Sequence, residues 1–174
     1  EGDLADKIEI VALNKIDEAT ARGIYVNAGV LGARLGLPVI PTAALMGHGI
    51  ALRLAAAGHQ VRVQDPNAAA LEGLKARLDE ISVLLGADGN VAGRIAGGSE
   101  LAWAVSQADF VFEAAPERLE LKQSLFEELE MLAPKSAVLC TNTSALPVSA
   151  IAQQVKDKKR VIGTHFWNPP HLVP

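Results

Sequence analysis

Residues 38–65 read PVIPTAALMGHGIALRLAAAGHQVRVQD, and this stretch decides the fold that the sequence predicts. It contains a short apolar run, Pro38–Pro41, then a segment with helical periodicity, and then a second apolar run that ends at Asp65. We interpret this order as a strand, a tight connection, a helix and a parallel strand. Such a unit binds dinucleotides when the connection carries glycines at G-x-G-x-x-G spacing.

The glycines of this connection are incomplete. Gly47 fits the third glycine, and counting back places Thr42 and Ala44 at the first two positions. A β-carbon at Ala44 would lie where a diphosphate approaches the backbone, and one at Thr42 would penalise a positive φ by about 1–2 kcal/mol. We therefore expect weak dinucleotide binding at best, supported by the amides and dipole of a helix N-terminus.

Asp65, at the end of the second strand, is the next candidate residue. Its distance along the chain from Gly47 is that of the carboxylate that accepts hydrogen bonds from the adenosine ribose in dinucleotide folds. Its charge would favour NAD over the 2′-phosphorylated cofactor. The alternative is that Asp65 only caps the helix that begins at Pro66.

The same alternation of short apolar runs and helical segments continues along the chain. It predicts an α/β fold of three layers, a doubly wound, mostly parallel, Rossmann-like sheet with an extra N-terminal βαβ element. The predicted strands are Ile8–Leu13, Pro38–Pro41, Gln60–Gln64, Val91–Ala96, Phe110–Glu113, Ala137–Thr141 and Val161–Phe166. The predicted helices are Val26–Leu35, Leu45–Ala57, Pro66–Leu85, Glu100–Ser106, Glu117–Leu132 and Pro147–Lys156.

Composition narrows the class of protein. The 174 residues fit one domain or one domain with an appended unit, and the net charge of −4 is spread without blocks of one sign, which argues against nucleic acid or a membrane as partner. No stretch approaches the roughly 18–20 apolar residues of a membrane span, and the start Glu1-Gly2-Asp3 does not have the character of a signal sequence. Cys140, the only cysteine, lies in an apolar run. We expect a core thiol, a cytoplasmic location and no metal site.

From Leu45 to Pro174 the chain resembles the NAD-binding domain of the L-3-hydroxyacyl-CoA dehydrogenase family. The resemblance rests on LMGHGIA at 45–51, VFEAAPE at 111–117, TNTS at 141–144 and THFWNP at 164–169. It implies NAD as cofactor. The cofactor-binding residues that it implies are Gly47, Asp65 on the ribose, Glu117 and Lys122 beside the nicotinamide half, and Asn142.

The resemblance also implies a reacting centre formed by Ser144, His165 and Asn168, with His165 as general base. A hydride leaving a secondary alcohol must be accompanied by loss of the hydroxyl proton, and a histidine that titrates near neutral pH suits that step. In the family a glutamate that orients the histidine and a helical substrate domain follow beyond the position of Pro174. We therefore expect these three residues to be vestigial in this chain.

The first forty-four residues carry a second resemblance. VALNKIDEA at 11–19 and LGLPVIPTAA at 35–44 resemble the G domain of bacterial ferrous-iron transporters, which are P-loop GTPases. The resemblance implies that Asn14, Lys15 and Asp17 form a guanine-reading motif. The chain contains no G-x-x-x-x-G-K-[ST] loop to cradle phosphate and magnesium, so the alternative is a solvated turn after a strand.

Together the two resemblances suggest an engineered chimera. In this hypothesis residues 1–44 are a P-loop-GTPase-like βαβ segment whose last strand serves as the first Rossmann strand, and residues 45–174 are the rest of a truncated NAD-binding domain. The strand Ile8–Leu13 then lies at a sheet edge, exchanges with a second copy of the chain, or inserts centrally; we favour an edge or a swapped dimer.

Three functions follow from these expectations. The first is a scaffold without turnover that binds NAD weakly or not at all. The alternative is the N-terminal, NAD-binding half of a 3-hydroxyacyl-CoA dehydrogenase that needs its C-terminal domain. The third is a guanine nucleotide binder.

Overall fold

The structure, a computed structural model, describes residues 9–13, 42–85, 91–167 and 170. Six parallel strands form one sheet in the order β3-β2-β1-β4-β5-β6, which is the doubly wound order that the sequence predicts. The strands are β1 Glu9–Leu13, β2 Gln60–Gln64, β3 Ile95–Gly98, β4 Phe110–Glu113, β5 Val138–Thr141 and β6 Val161–Gly163.

The helices connect these strands across both faces of the sheet. They are α1 Thr42–Ala56, α2 Ala68–Glu72, α3 Leu74–Leu85, α4 Leu101–Val105, α5 Leu119–Leu132 and α6 Val148–Ile151. Short 3₁₀ turns follow at Ala92–Arg94, Ala152–Gln154 and Lys158–Arg160. Within the described part of the chain, no helix is long and apolar enough to cross a membrane.

Strand β1 lies in the middle of the sheet, which corrects the expected placement. It pairs with β2 from Glu9↔Gln60 onward and with β4 from Ile10↔Phe110 onward. Because both of its edges are hydrogen-bonded within this chain, the preference for an edge position or a swapped dimer is wrong. The central place expected for Pro38–Pro41 is taken by Glu9–Leu13, and residues 14–41, with the predicted helix Val26–Leu35, lie outside the described residues.

Thr42 and Ala44 lie in the first turn of α1 and not in a loop before it. Among the described residues only Gly58 has a positive φ, of 101°. The strain expected at Thr42 therefore does not arise, because a helical backbone has a negative φ that any residue adopts.

The sheet is covered on both faces, so the molecule has three layers. Along β4 the side chains alternate: Phe110 and Phe112 pack toward α1 and α3, whereas Val111 packs toward α5. The first core contains Ala51, Leu52, Ala55, Val61, Val63, Leu74, Leu78, Ile81 and Val91. The second contains Ala104, Val105, Ala108, Val111, Phe126, Leu129, Ala133, Ala137, Leu139, Ile151, Ala152, Val155 and Val161. Cys140 is buried as expected, and burial raises the pKa of its thiol to about 11.

Some predicted boundaries differ from the observed ones. The predicted helix Pro66–Leu85 is interrupted at Gly73, where a β-carbon would lie 2.6 Å from Nη1 of Arg77. The predicted strand Val91–Ala96 begins only at Ile95, because a 3₁₀ turn precedes it. The last predicted strand ends at Gly163, and residues 164–167 form a loop.

Candidate active site at the carboxyl edge of the sheet

The carboxyl ends of the parallel strands meet at one edge of the sheet, where ligands bind in doubly wound folds. Glu113 at the end of β4 pairs in register with Thr141 of β5, and Thr141 pairs with Gly163 of β6. The loops that follow these three strands therefore lie side by side. They contain Glu117, the segment 142–146 and His165.

Ser144 and His165 form the contact that is most suggestive of chemistry. The Ser144 Oγ lies 3.0 Å from His165 Nε2, and both residues are exposed. The His165 ring also packs against the Trp167 ring, with centroids 5.4 Å apart. The loop that carries His165 is held by Asn142, whose Oδ1 accepts a hydrogen bond of 2.8 Å from the Phe166 amide. The sequence singled out Ser144, His165 and Asn142, and the structure brings them together.

Glu117 binds the turn that carries Ser144. Its Oε1 accepts hydrogen bonds from the Thr143 hydroxyl and from the amides of Ser144 at 3.0 Å and Ala145 at 3.1 Å. Burial raises the pKa of Glu117, but the hydrogen bonds from Thr143, Ala145 and Ser144 and the charge of Lys122 outweigh it and lower the pKa to about 2. The carboxylate is therefore ionised at neutral pH.

A fully buried ion pair lies beneath this turn. Lys122 Nζ lies 2.7 Å from Glu113 Oε1 and 2.8 Å from Oε2, and neither side chain is exposed. The Thr141 hydroxyl donates to Glu113 Oε2 at 2.6 Å, and the Ala115 amide donates to Oε1. Burial raises the pKa of Glu113, and these partners, Lys122 foremost, lower it in part. Lys122 Nζ also lies 3.4 Å from Glu117 Oε2.

This arrangement differs from what the sequence implied for Lys122. We expected Lys122 beside the cofactor, but its side chain has no exposed surface and faces two glutamates. Glu113 and Thr141 were missed as polar members of the site. The available signal was the placement of ionisable residues at positions that strand and helix periodicity assign to the core.

Asp65 stands at the carboxyl end of β2 and is 3% exposed. Its Oδ1 accepts a hydrogen bond of 2.8 Å from the Asn67 amide. The cap of α2 is Asn67, whose side chain accepts from the Ala69 amide at 3.0 Å. The alternative interpretation of Asp65 as helix cap is therefore wrong, because Asn67 performs that function.

Gly47 lies in the second turn of α1 and is buried. The first turn of α1 has no acidic residue, so the positive end of its dipole is not offset by a carboxylate of its own. Next to Gly47, His48 is 1% exposed, and its Nδ1 accepts a hydrogen bond of 3.0 Å from Nε of Arg77. Burial, followed by the charge of Arg77, lowers the pKa of His48 to about 4.

Several predicted residues lie outside the described part of the chain. These are Asn168 of the reacting centre and the guanine-reading candidates Asn14, Lys15 and Asp17. Among the residues that the structure does describe, no group of three histidine, cysteine or acidic side chains could hold a metal ion.

Comparisons with known proteins agree with this geometry. Residues 40–174 match the family model described as 3-hydroxyacyl-CoA dehydrogenase, NAD binding domain. The chain is 39% identical over 132 residues to 3-hydroxyadipyl-CoA dehydrogenase of Escherichia coli, covering 71% of this chain and 28% of the relative. It is 34% identical over 164 residues to a probable 3-hydroxyacyl-CoA dehydrogenase of Caenorhabditis elegans, covering 87% of this chain and 52% of the relative.

A solved structure shows the same fold. The crystal structure of 3-hydroxybutyryl-CoA dehydrogenase from Escherichia coli superposes with a TM-score of 0.70 at 29% identity, covering 96% of this chain and 31% of that chain. The chain thus spans between about a quarter and about a half of the length of these relatives. With a family match over most of its residues, the chain belongs to the family of 3-hydroxyacyl-CoA dehydrogenase NAD-binding domains.

Proposed function

We propose that this chain binds NAD at the carboxyl edge of its sheet and serves as the NAD-binding half of a 3-hydroxyacyl-CoA dehydrogenase. The observation that carries the proposal is the contact of 3.0 Å between Ser144 Oγ and His165 Nε2 at that edge. A hydroxyl and an imidazole at this distance can together bind an alcohol oxygen and remove its proton.

The residues at this edge fit a dinucleotide. The Asp65 carboxylate at the end of β2 suits the ribose hydroxyls of the adenosine half. The first turn of α1, free of acidic residues, suits the diphosphate through its amides. Asn142, Glu117 and Ser144 lie on the loops after β4 and β5, where the nicotinamide half would reach the reacting centre. Gly47 would serve the packing of α1 against the sheet.

In the proposed reaction, bound NAD would supply the hydride acceptor for the carbon that carries the substrate hydroxyl. The contribution of this chain is to bind that hydroxyl and to move its proton. His165 accepts the proton at Nε2 as the carbonyl forms, and Ser144 Oγ, at hydrogen-bond distance from the same nitrogen, helps to orient the alcohol. Asn142 keeps the His165 loop in place through the Phe166 amide.

The substrate class comes from the names of the relatives. Two of them are named for the oxidation of 3-hydroxyacyl-CoA thioesters, and each is about two to more than three times as long as the part that this chain matches. We therefore assign substrate binding largely to a further part of such an enzyme.

A titration tests cofactor binding. We expect the fluorescence of NADH to change as the chain is added, and Asp65→Ala to weaken the affinity by about ten- to a hundredfold, since a charge-assisted hydrogen bond contributes about 1.5–3 kcal/mol. Asp79→Ala is the matched control, because Asp79 is exposed and pairs with Lys75 on the same helix. An affinity that is equal in all three proteins, or absent in the wild type, would contradict the proposal.

Turnover tests the reaction. With the helical half of a related enzyme added, we expect NADH oxidation with acetoacetyl-CoA, and we expect His165→Gln to lower kcat by on the order of 10²–10⁴. A His59→Gln variant, changed away from this edge, should retain the rate. A His165→Gln variant that reacts as fast as the wild type would remove His165 from the mechanism.

The chimera and the guanine nucleotide binder make different predictions. The chimera hypothesis predicts no turnover after the helical half is added and only weak NADH binding. One of its arguments is removed by the helical backbone at Thr42, which leaves no positive φ to penalise there. The guanine-nucleotide hypothesis predicts that GDP, but not NADH, raises the temperature of unfolding.

A further inference from the structure

One carboxylate holds the turn that presents the candidate catalytic serine. Residues 143–146, which we name the serine turn, follow β5 and carry Ser144 at an exposed position. Glu117 Oε1 accepts from the Thr143 hydroxyl, from the Ser144 and Ala145 amides and, at 3.4 Å, from the Leu146 amide. Every residue of the serine turn therefore donates to a single oxygen atom.

The Glu117 side chain is held more firmly than an exposed side chain would be. Its side chain is 22% exposed, and its other oxygen, Oε2, lies 3.4 Å from Lys122 Nζ. Lys122 is in turn anchored by both oxygens of Glu113 at the end of β4. A charged chain thus runs from the sheet through Glu113, Lys122 and Glu117 to the serine turn.

Ser144 of the serine turn also contacts the candidate general base. Ser144 Oγ lies 3.0 Å from His165 Nε2, across 21 residues of sequence. Glu117 binds the amide of the same residue whose Oγ contacts the imidazole. Glu117 is thus linked to the imidazole through a single residue, Ser144.

We propose that Glu117 is a positioning residue for the Ser144–His165 pair, which it fixes by binding the serine turn through Oε1. This inference refines the proposed function and rests on it for the catalytic meaning of the pair. The geometry itself does not require a cofactor. Lys122 and Glu113 act indirectly, since Lys122 contacts the Glu117 carboxylate and Glu113 anchors Lys122.

Nuclear magnetic resonance of the whole chain, uniformly labelled with ¹⁵N, tests the proposal without any turnover. The chain has four histidines, and His165→Gln assigns the resonance of interest. Ser144→Ala provides the benchmark, because it removes the hydroxyl beside Nε2. We expect Glu117→Ala to reproduce most of that change in the Nε2 shift and to move the Ser144 amide resonance upfield, as a lost hydrogen bond does.

Two variants complete the design. Glu117→Gln keeps an acceptor oxygen for the same amides and should recover part of the wild-type Nε2 shift. Glu120→Ala, which removes an exposed carboxylate from the first turn of the same helix, should leave both resonances unchanged. If Glu117→Ala does not fold, Thr143→Val removes a single donor to the same oxygen and should produce a smaller change in the same direction.

The outcomes separate this inference from the proposed function. An unchanged Nε2 resonance in folded Glu117→Ala or Thr143→Val, with Ser144→Ala shifted, overturns the positioning role. An unchanged resonance in Ser144→Ala overturns the pair itself. NADH titration of the same samples is an independent readout: a chain that fails to bind NADH but shows the expected shifts retains the positioning role and loses the proposed function.

Discussion

The two faces of the sheet differ in the buried polar groups that they contain: one, the neutral face, buries an uncharged histidine, and the other buries a charged pair. On the face covered by α1 and α3, His48 is buried as a neutral ring with a pKa of about 4 and one hydrogen bond from Arg77. On the face covered by α5, Glu113 is buried beside Lys122 and accepts from Thr141 and the Ala115 amide as well.

This difference indicates what each face contributes to the structure and to the candidate site. A neutral histidine needs one partner, so the first face can remain a packing core that holds α1 and α3 together. An ionised pair must be compensated at several atoms, and the groups that compensate it stand at the ends of β4 and β5. The second face therefore couples its core to the loops that carry Glu117 and Ser144.

The largest effect should follow from breaking the charged pair. Lys122→Met leaves the Glu113 carboxylate buried without its cation, and we expect the free energy of unfolding to fall by about 3–5 kcal/mol. Urea denaturation followed by circular dichroism measures it. The double variant Glu113→Gln with Lys122→Met should regain most of the loss, because it removes both charges.

The matched control for this variant is Lys75→Met. Lys75 forms an exposed pair with Asp79 one helical turn away, with 83% of its side chain accessible, and such pairs contribute about 0.3–0.5 kcal/mol. An effect of Lys122→Met as small as that of Lys75→Met would show that the buried pair carries no structural role.

Because His48 is buried as a neutral ring, the stability of the protein should depend on pH. In the unfolded chain a histidine gains its proton near pH 6.5, whereas in the folded protein His48 gains it only near pH 4. Between these values the unfolded state binds more protons, so stability falls as the pH drops from 6.5 to 4, by on the order of 3 kcal/mol. Above pH 6.5 this contribution is constant.

Denaturation of the wild type and His48→Gln at several pH values measures this slope. The amide oxygen of glutamine can still accept from Arg77, but it does not titrate, so the difference between the two proteins isolates the histidine. His59→Gln, which replaces a histidine at another site, is the control. Parallel curves for the wild type and His48→Gln would contradict the assignment.

A smaller effect should come from the hydroxyl that completes the charged pair. Thr141→Val keeps the shape of the side chain but removes the donor to Glu113 Oε2, and we expect a loss of about 1–3 kcal/mol in the free energy of unfolding. Thr141→Ser keeps the hydroxyl and should lose less. A valine variant as stable as the serine variant would mean that Lys122 and Ala115 satisfy the carboxylate alone.

Local signals explain which parts of the fold could be predicted. The strands Gln60–Gln64 and Phe110–Glu113 were predicted with their observed bounds, because short apolar runs there are bounded by polar or turn-forming residues. Central insertion of β1 was one of three predicted placements but not the preferred one, since the neighbour of a strand depends on pairing across the sheet and not on its own residues. The same limit applied to the start of α1 at Thr42, where glycine spacing suggested a loop.

For the candidate site, sequence patterns identified residues but not their contacts. Ser144, His165, Asn142 and Glu117 were named by resemblance, and the structure joins the first two directly. The burial of Lys122 was missed, because the packing of α5 against the sheet determines it and periodicity alone does not show which charges find partners.

The smallest of these effects concerns the cap on the neutral face. Asn67 accepts from the Ala69 amide and begins α2, whose Ala70 carbonyl accepts a hydrogen bond of 2.6 Å from Nη2 of Arg77, the same residue that binds His48. Asn67→Ala should cost about 1 kcal/mol by thermal unfolding, and Asn67→Asp, which retains the cap, should cost less. Because the cap reaches His48 only through Arg77, the pH slope of the Asn67→Ala variant should match that of the wild type. A changed slope would mean that the cap of α2 and the ionisation of His48 are coupled through Arg77, so that a surface residue tunes a buried ionisation.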